Sequence, residues 1–171
     1  MKTRTLVVLV AVLALALPLA AQTGKTKVIE SSDGSLKVSV PSDWTPQELN
    51  DAAEIQVGNE NESAYLIVLI ERKDDLFGWN IERHSFVTLG KLLSDIDLPK
   101  ISGPKSMKIG DIPAIQYEVR GAASGTNIVY LHTTIETPEL FAQILAWTVP
   151  SKEAANRKKL EAAILSVRPI E

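Results

Sequence analysis

The chain has 171 residues, no cysteine and a net charge of −3, with 45% hydrophobic and 23% charged side chains. The missing cysteine excludes disulfides, thiolate nucleophiles, thiolate zinc sites and iron–sulfur clusters. The acidic balance argues against nucleic acid and against an anionic membrane face, both of which call for a basic surface.

Lys2 and Arg4 form a positive start, residues 6–17 are an unbroken run of Leu, Val and Ala, and Pro18 precedes the small residues Ala20 and Ala21. This order predicts a secretory signal peptide over residues 1–21, cut before Gln22. The rival reading is a retained anchor, but a spanning helix needs about 20 apolar residues and the run stops short at Pro18. No cysteine follows it to carry a lipid. Cleavage removes two of the 18 basic residues and none of the 21 acidic ones, so the mature chain carries about −5. It is expected to be periplasmic or secreted, without a stable membrane anchor. About 150 residues remain, enough for one domain that buries about 70% of its unfolded surface.

Residues 22–34 read as a polar leader ending at the turn signal Asp33-Gly34. Leu36, Val38 and Val40 then alternate with Lys37 and Ser39, the period of a half-buried strand that Pro41 ends. Trp44 reads as a loop aromatic folded back onto the core. Residues 54–57 suggest a short strand, and the polar turn 59–62 leads to residues 64–71 (AYLIVLIE), apolar on both faces and so central in a sheet. From Asn80 to Ile96 the period becomes helical, with Phe86, Leu89, Leu93 and Ile96 on a face begun by Ile81 and Pro99 closing the segment. Residues 106–109 lead through the tight turn Gly110-Asp111 into a strand over 112–120. There Ile115, Tyr117 and Val119 face one way and Gln116, Glu118 and Arg120 the other. Residues 121–125 (GAASG) form a flexible connection to strands over 127–136 and 140–149, and short turns between strands imply antiparallel hairpins. Ser151 caps a last helix with Glu153 in its first turn, an apolar stripe of Leu160, Ile164 and Val167, and Pro169 as its stop. One α+β domain over residues 35–171, an antiparallel sheet flanked by helices, accounts for this order.

A strand ending in Pro41 and followed by Trp44, a long apolar strand, a helix, Ile-Gly-Asp-Ile-Pro-Ala at 109–114, a strand with Tyr130, and Ala-Trp-Thr-Val-Pro-Ser at 146–151 before a terminal helix together resemble the PsbP-like family. Its members include the extrinsic photosystem II subunit, the Mog-type Ran-binding proteins and many secreted bacterial proteins. The resemblance implies an α/β/α sandwich and a non-enzymatic accessory or binding role. It supplies no shared catalytic residues, and shared fold does not carry photosystem or Ran binding with it. Gly110, Pro113 and Trp147 also have plain structural readings: a hairpin turn, a strand start and core.

Two histidines bear on chemistry. His84 lies on the predicted helix, where Glu82 at two residues' distance does not face it, and reads as a surface residue. His132 lies on a strand with Tyr130 and Thr134 as same-face neighbours and Glu118 available across a hairpin. His, Tyr and Glu on one sheet face can polarise water or hold a weak metal, which defines one rival function, a metal-dependent envelope hydrolase; a solvated sheet face is the plainer account. No Gly-x-Ser-x-Gly turn frames a Ser–His–Asp site. Asp74-Asp75 and the Asp95, Asp97 pair show no burial that would split two carboxyl pKa values, and no twelve-residue calcium loop is present. Asn61-Glu62-Ser63 matches a glycosylation signal that matters only in a eukaryotic host.

The strongest binding candidate is Leu76-Phe77-Gly78-Trp79, with two aromatics in a loop before the first helix. Loop aromatics anchor interfaces or line pockets; alternatively they staple the helix start. The sequence therefore reads as a secreted non-catalytic accessory or binding protein with a protein partner in the cell envelope. Phe77, Trp79, Tyr130 and His132 are its binding candidates, and no catalytic residue, metal or cofactor is implied. A second rival is a carrier of a small apolar ligand between sheet and helix. An enzyme predicts a concave pocket with His132 beside an acid, a carrier an internal apolar cavity, and a binding protein an exposed apolar patch at Phe77 and Trp79.

Overall fold

Pairing begins earlier than the sequence suggests. The computed structural model describes residues 24–170, so the predicted signal peptide lies outside the described residues. Thr26–Glu30 (β1), inside the expected polar leader, pairs antiparallel with Leu36–Pro41 (β2) from Thr26↔Pro41 to Glu30↔Lys37. Its polar composition hid it because β1 is an edge strand with at most one half-buried row, Lys27 and Ile29. The short Arg168–Pro169 strand (β10) pairs with the other side of β2, closing a three-stranded sheet.

The second sheet has seven strands. Thr45–Pro46 (β3) is one edge, followed by Ile55–Asn59 (β4) and Ala64–Arg72 (β5). Beyond β5 lie Leu140–Thr148 (β9), Thr126–Glu136 (β8), Ile112–Ala123 (β7) and the far edge Asp97–Ile109 (β6). All pairs are antiparallel, and β5 is interior with Leu66, Ile67 and Val68 buried on both faces, as its uninterrupted apolar run predicts. Two expectations shift: β6 starts at Asp97 rather than residue 106, and the first helix ends at Ser94 before it. Exposed Lys and Pro residues in β6 obscured its alternation.

Helix α1 (Ile81–Ser94) covers one face of this sheet and α2 (Glu153–Leu165) the other. The larger core lies under α2, where Leu160, Ala163, Ile164 and Val167 meet Leu66, Val68, Ile144 and Ala146 of the large sheet and Leu36, Val38 and Val40 of β2. Trp44 is wholly buried in this core, so the loop aromatic does fold back. The α1 face follows cross-strand register: Glu71, Phe141 and Glu136, then Leu69, Gln143, Thr134 and Ile115, then Ile67, Leu145, His132 and Tyr117, then Tyr65, Trp147, Tyr130 and Val119. Trp147 is half-buried rather than fully core, stacked on Tyr65 with ring centroids 5.3 Å apart and tilted against Tyr130 at 5.6 Å. Gly58 permits this row to extend onto β4, since a Cβ there would meet the Tyr65 ring at 2.5 Å.

The buried face of α1 keeps Ile81 and Leu89 of the apolar face expected, with Leu93 half-buried against Leu89 and Ile96, but it differs in the middle. It consists of Ile81, His84, Ser85, Thr88 and Leu89, a regular i, i+3, i+4, i+7, i+8 stripe whose middle is polar. Phe86 falls outside it and is 73% exposed. The sheet beneath presents His132, Thr134 and Gln143, all buried, so hydroxyls and imidazoles oppose one another where apolar residues were expected.

Candidate functional site

Phe77 and Trp79, paired in sequence as one aromatic anchor, are separated by the turn that holds them. Asn80 caps α1 by accepting from the Arg83 backbone N–H at 3.0 Å. Trp79 precedes that cap and sets its ring edge against His84, centroids 6.2 Å apart, the geometry of a hydrophobic staple. Leu76 and Trp79 pack against Ile81, Ile115 and Phe141. Between these two anchors the Trp79 N–H donates to the Leu76 carbonyl at 3.0 Å, and Gly78 has φ +76°. A type II turn requires that left-handed conformation at its third residue, and it leaves Phe77 at the tip. Phe77 is 97% exposed. Trp79 is thus a packing residue, while Phe77 projects from a turn whose two ends are fixed in the core.

The charges around this turn are unevenly engaged. Lys73 donates to Glu136 at 2.6 Å and lies 5.1 Å from the Phe141 ring centroid. Arg83 sits over the Trp79 ring at 4.8 Å, a cation–π placement. Asp74, Asp75, Glu82 and Glu139 are exposed and form no ion pair among the described residues.

Neither histidine lies where the sequence reading placed it: His84 is not on the surface and His132 not on a solvated face, both being completely buried between α1 and the sheet. The reason is the polar stripe of α1, which turns His84 inward. His84 Nε2 lies 2.7 Å from Glu71 Oε2, and the ring stacks on Phe141 at 4.8 Å. A carboxylate only accepts, so Nε2 carries the proton. Thr88 donates its one hydroxyl proton to the His84 carbonyl at 2.9 Å and therefore accepts from His132 Nε2 at 3.1 Å. Both rings are the Nε2–H tautomer, and Nδ1 of each, Ser85 Oγ and Thr134 Oγ1 have no hydrogen-bond partner. Burial pushes the His132 pKa down to about 4, with His84 adding to the effect. Burial also lowers that of His84, against the opposing pull of Glu71. Both imidazoles are neutral at pH 7.

Tyr130 shares the His132 face as expected, but the third member of that constellation does not. Glu118 pairs with Leu131, and it is Tyr117 that opposes His132, ring centroids 6.1 Å apart. Alternation of the pleat puts Glu118 on the α2 face, where it accepts from Arg120 at 2.6 Å and from Arg157 at 2.8 Å. Arg120 also clamps Glu153 of α2 through two bonds of 2.9 and 2.7 Å. Arg120 lines one solvent-open groove of about 320 Å³ with residues of β6, β7 and β8, and Glu118 and Arg157 line a second of about 250 Å³. Among the described residues no three His, Asp or Glu side chains are grouped to hold a metal, and no helix is long and apolar enough to cross a membrane.

No family model matches the sequence, nor does any characterised protein by sequence comparison. Solved structures do match. LpqN of Mycobacterium tuberculosis, involved in cell envelope biogenesis, aligns with TM-score 0.63 and 12% identity over 86% of this chain and 91% of its own. Cyanobacterial PsbP from Synechocystis aligns with TM-score 0.61 and 10% identity over 88% and 96%. The Ran-binding protein Mog1p of Saccharomyces cerevisiae aligns with TM-score 0.54 and 12% identity over 85% and 96%. The chain also spans 48% of the length of a matching Bacteroides thetaiotaomicron structure.

The chain has the PsbP/Mog1 fold.

Within this PsbP/Mog1 fold the α1–sheet seam holds residues that sequence reasoning did not group: Glu71, Ser85 and Thr88 beside the two histidines. One signal for them was available. Residues 81, 84, 85, 88 and 89 share a helix face whatever their polarity, and the apolar residues alone do not complete a stripe there.

Proposed function

We propose that the protein is a secreted, non-catalytic binding protein of the cell envelope that engages a protein partner through the Phe77 turn. The observation that carries this reading is Phe77 itself, 97% exposed on a turn anchored at both ends. Holding a large apolar side chain in water on a fixed support lowers the ordering cost of docking it into a pocket. The export part of the reading rests on the order of charged, apolar and small residues over 1–21. It is supported by the envelope role of LpqN, and Ran binding by Mog1p supports a partner-binding use of the fold.

Docking by strand addition is disfavoured at β6. This edge carries Pro99, Pro104 and three lysines, and its pairing with β7 shifts register twice, all features that blunt an edge. The test is recovery of envelope proteins on wild type and on Phe77→Ala of equal thermal stability. A partner retained by wild type and lost from the variant is expected; identical recovery from both removes the turn as the binding site.

A further inference from the structure

We infer that the partner surface taken by the Phe77 turn is an apolar pocket rimmed by lysine and arginine side chains on a protein. This deepens the binding reading above and rests on it. Around Phe77 in the chain, acidic charge is left over once internal contacts are accounted for. Arg72 belongs to the row of β5 that points to the α2 face, and its field acts on Asp33 there. Lys73 is tied to Glu136. Arg83 is held over Trp79. Asp74, Asp75 and Glu82, within five residues of Phe77 in the chain, and Glu139, whose carbonyl accepts from the Lys73 N–H at 3.0 Å, are exposed and form no ion pair among the described residues.

Phe77 is thus an apolar tip with unpaired acidic residues on both sides of it in the chain, an acidic collar opposed locally by Arg83. An anionic membrane face would repel that collar, and so would an acidic protein surface. A basic rim removes the repulsion, speeds encounter and orients the tip, while pocket burial of the ring supplies most of the affinity.

The experiment places the photoreactive phenylalanine analogue benzoylphenylalanine at position 77 of the full chain in its host, identifies the adduct, and titrates the purified partner with wild type and variants. Expected is one protein adduct at a segment flanked by Lys or Arg. Phe77→Ala should weaken binding about 30-fold or more, and Phe77→Leu should restore a large part of it. The triple variant Asp74→Asn/Asp75→Asn/Glu82→Gln should weaken binding about tenfold at low salt, with the difference shrinking sharply by 0.5 M salt. A partner whose affinity depends on Phe77 but not on the acids or salt sinks the basic rim and leaves the binding reading standing. Absence of a protein adduct overturns both. Phe77-dependent binding to phosphatidylglycerol-containing vesicles also overturns the inference, in favour of a membrane wedge.

Discussion

His132 is buried as a neutral imidazole, so acid works against the fold through it. The sign follows from proton counts. In the unfolded chain the ring titrates near 6.5, in the native state near 4, so between these values the unfolded state binds the additional proton and stability falls as pH falls. Above pH 6.5 this contribution is flat. Each pH unit inside the window is worth up to about 1.4 kcal/mol, or about 3 kcal/mol across it. His84 is shifted in the same direction. Urea unfolding at pH 7, 6 and 5 should therefore show declining stability, and His132→Leu should reduce that slope by about one proton. An unchanged slope would show that the ring is not buried neutral. A second outcome belongs to Thr134, whose hydroxyl is buried without a partner. An unsatisfied buried hydroxyl costs about 1–3 kcal/mol, so the near-isosteric Thr134→Val should raise stability by about 1 kcal/mol in the same urea assay. A loss of that size would mean the hydroxyl is satisfied.

At the scale of elements, the 76–79 turn separates two aromatics that the sequence presents as equivalent. Trp79 packs with Ile81, Ile115 and Phe141 and staples the start of α1, so Trp79→Ala should cost about 2 kcal/mol, below the 3–5 expected for a fully buried Trp. Phe77→Ala should stay within about 0.5 kcal/mol, because the ring touches solvent. Thermal unfolding of the two variants separates a staple from an exposed tip, and equal losses would refute the division. The same contrast shows what was legible in sequence. Alternation in residues 36–40 and 112–120 and the apolar run at 64–71 specify strands because burial on one face or both leaves a period. β1 and β6 lie at sheet edges, where little burial is demanded, and their polar residues leave little period to detect. The face of α1 was misread for a related reason. Phe86 is hydrophobic, but position relative to the sheet decides burial, and the Glu71 and His132 side chains that make the polar stripe of His84 and Thr88 tolerable come from other elements of the chain.

Across the whole molecule the two sides of the large sheet are held by different physics. Under α2 the seam is apolar, continuous with β2 of the small sheet, and tied at its rim by Arg120, Glu118, Arg157 and Glu153. Under α1 the apolar groups fall into two smaller clusters at the ends of the helix, with His84, Ser85, Thr88, His132 and Thr134 between them. Buried area stabilises at about 25 cal/mol per Å² of apolar surface, and unsatisfied polar atoms subtract from it, so α1 is the layer that opens first. Its opening also exposes both imidazoles to protonation, which the opening of α2 does not. Amide hydrogen exchange should therefore show lower protection in Ile81–Ser94 than in Glu153–Leu165 at pH 7. After correction for intrinsic rates, lowering the pH from 6.5 to 5 should widen the gap by up to about tenfold per pH unit from His132 alone. In His132→Leu the pH-dependent part of that gap should shrink. If both helices lose protection in step, the chain opens as one unit and the polar seam is not its weakest joint.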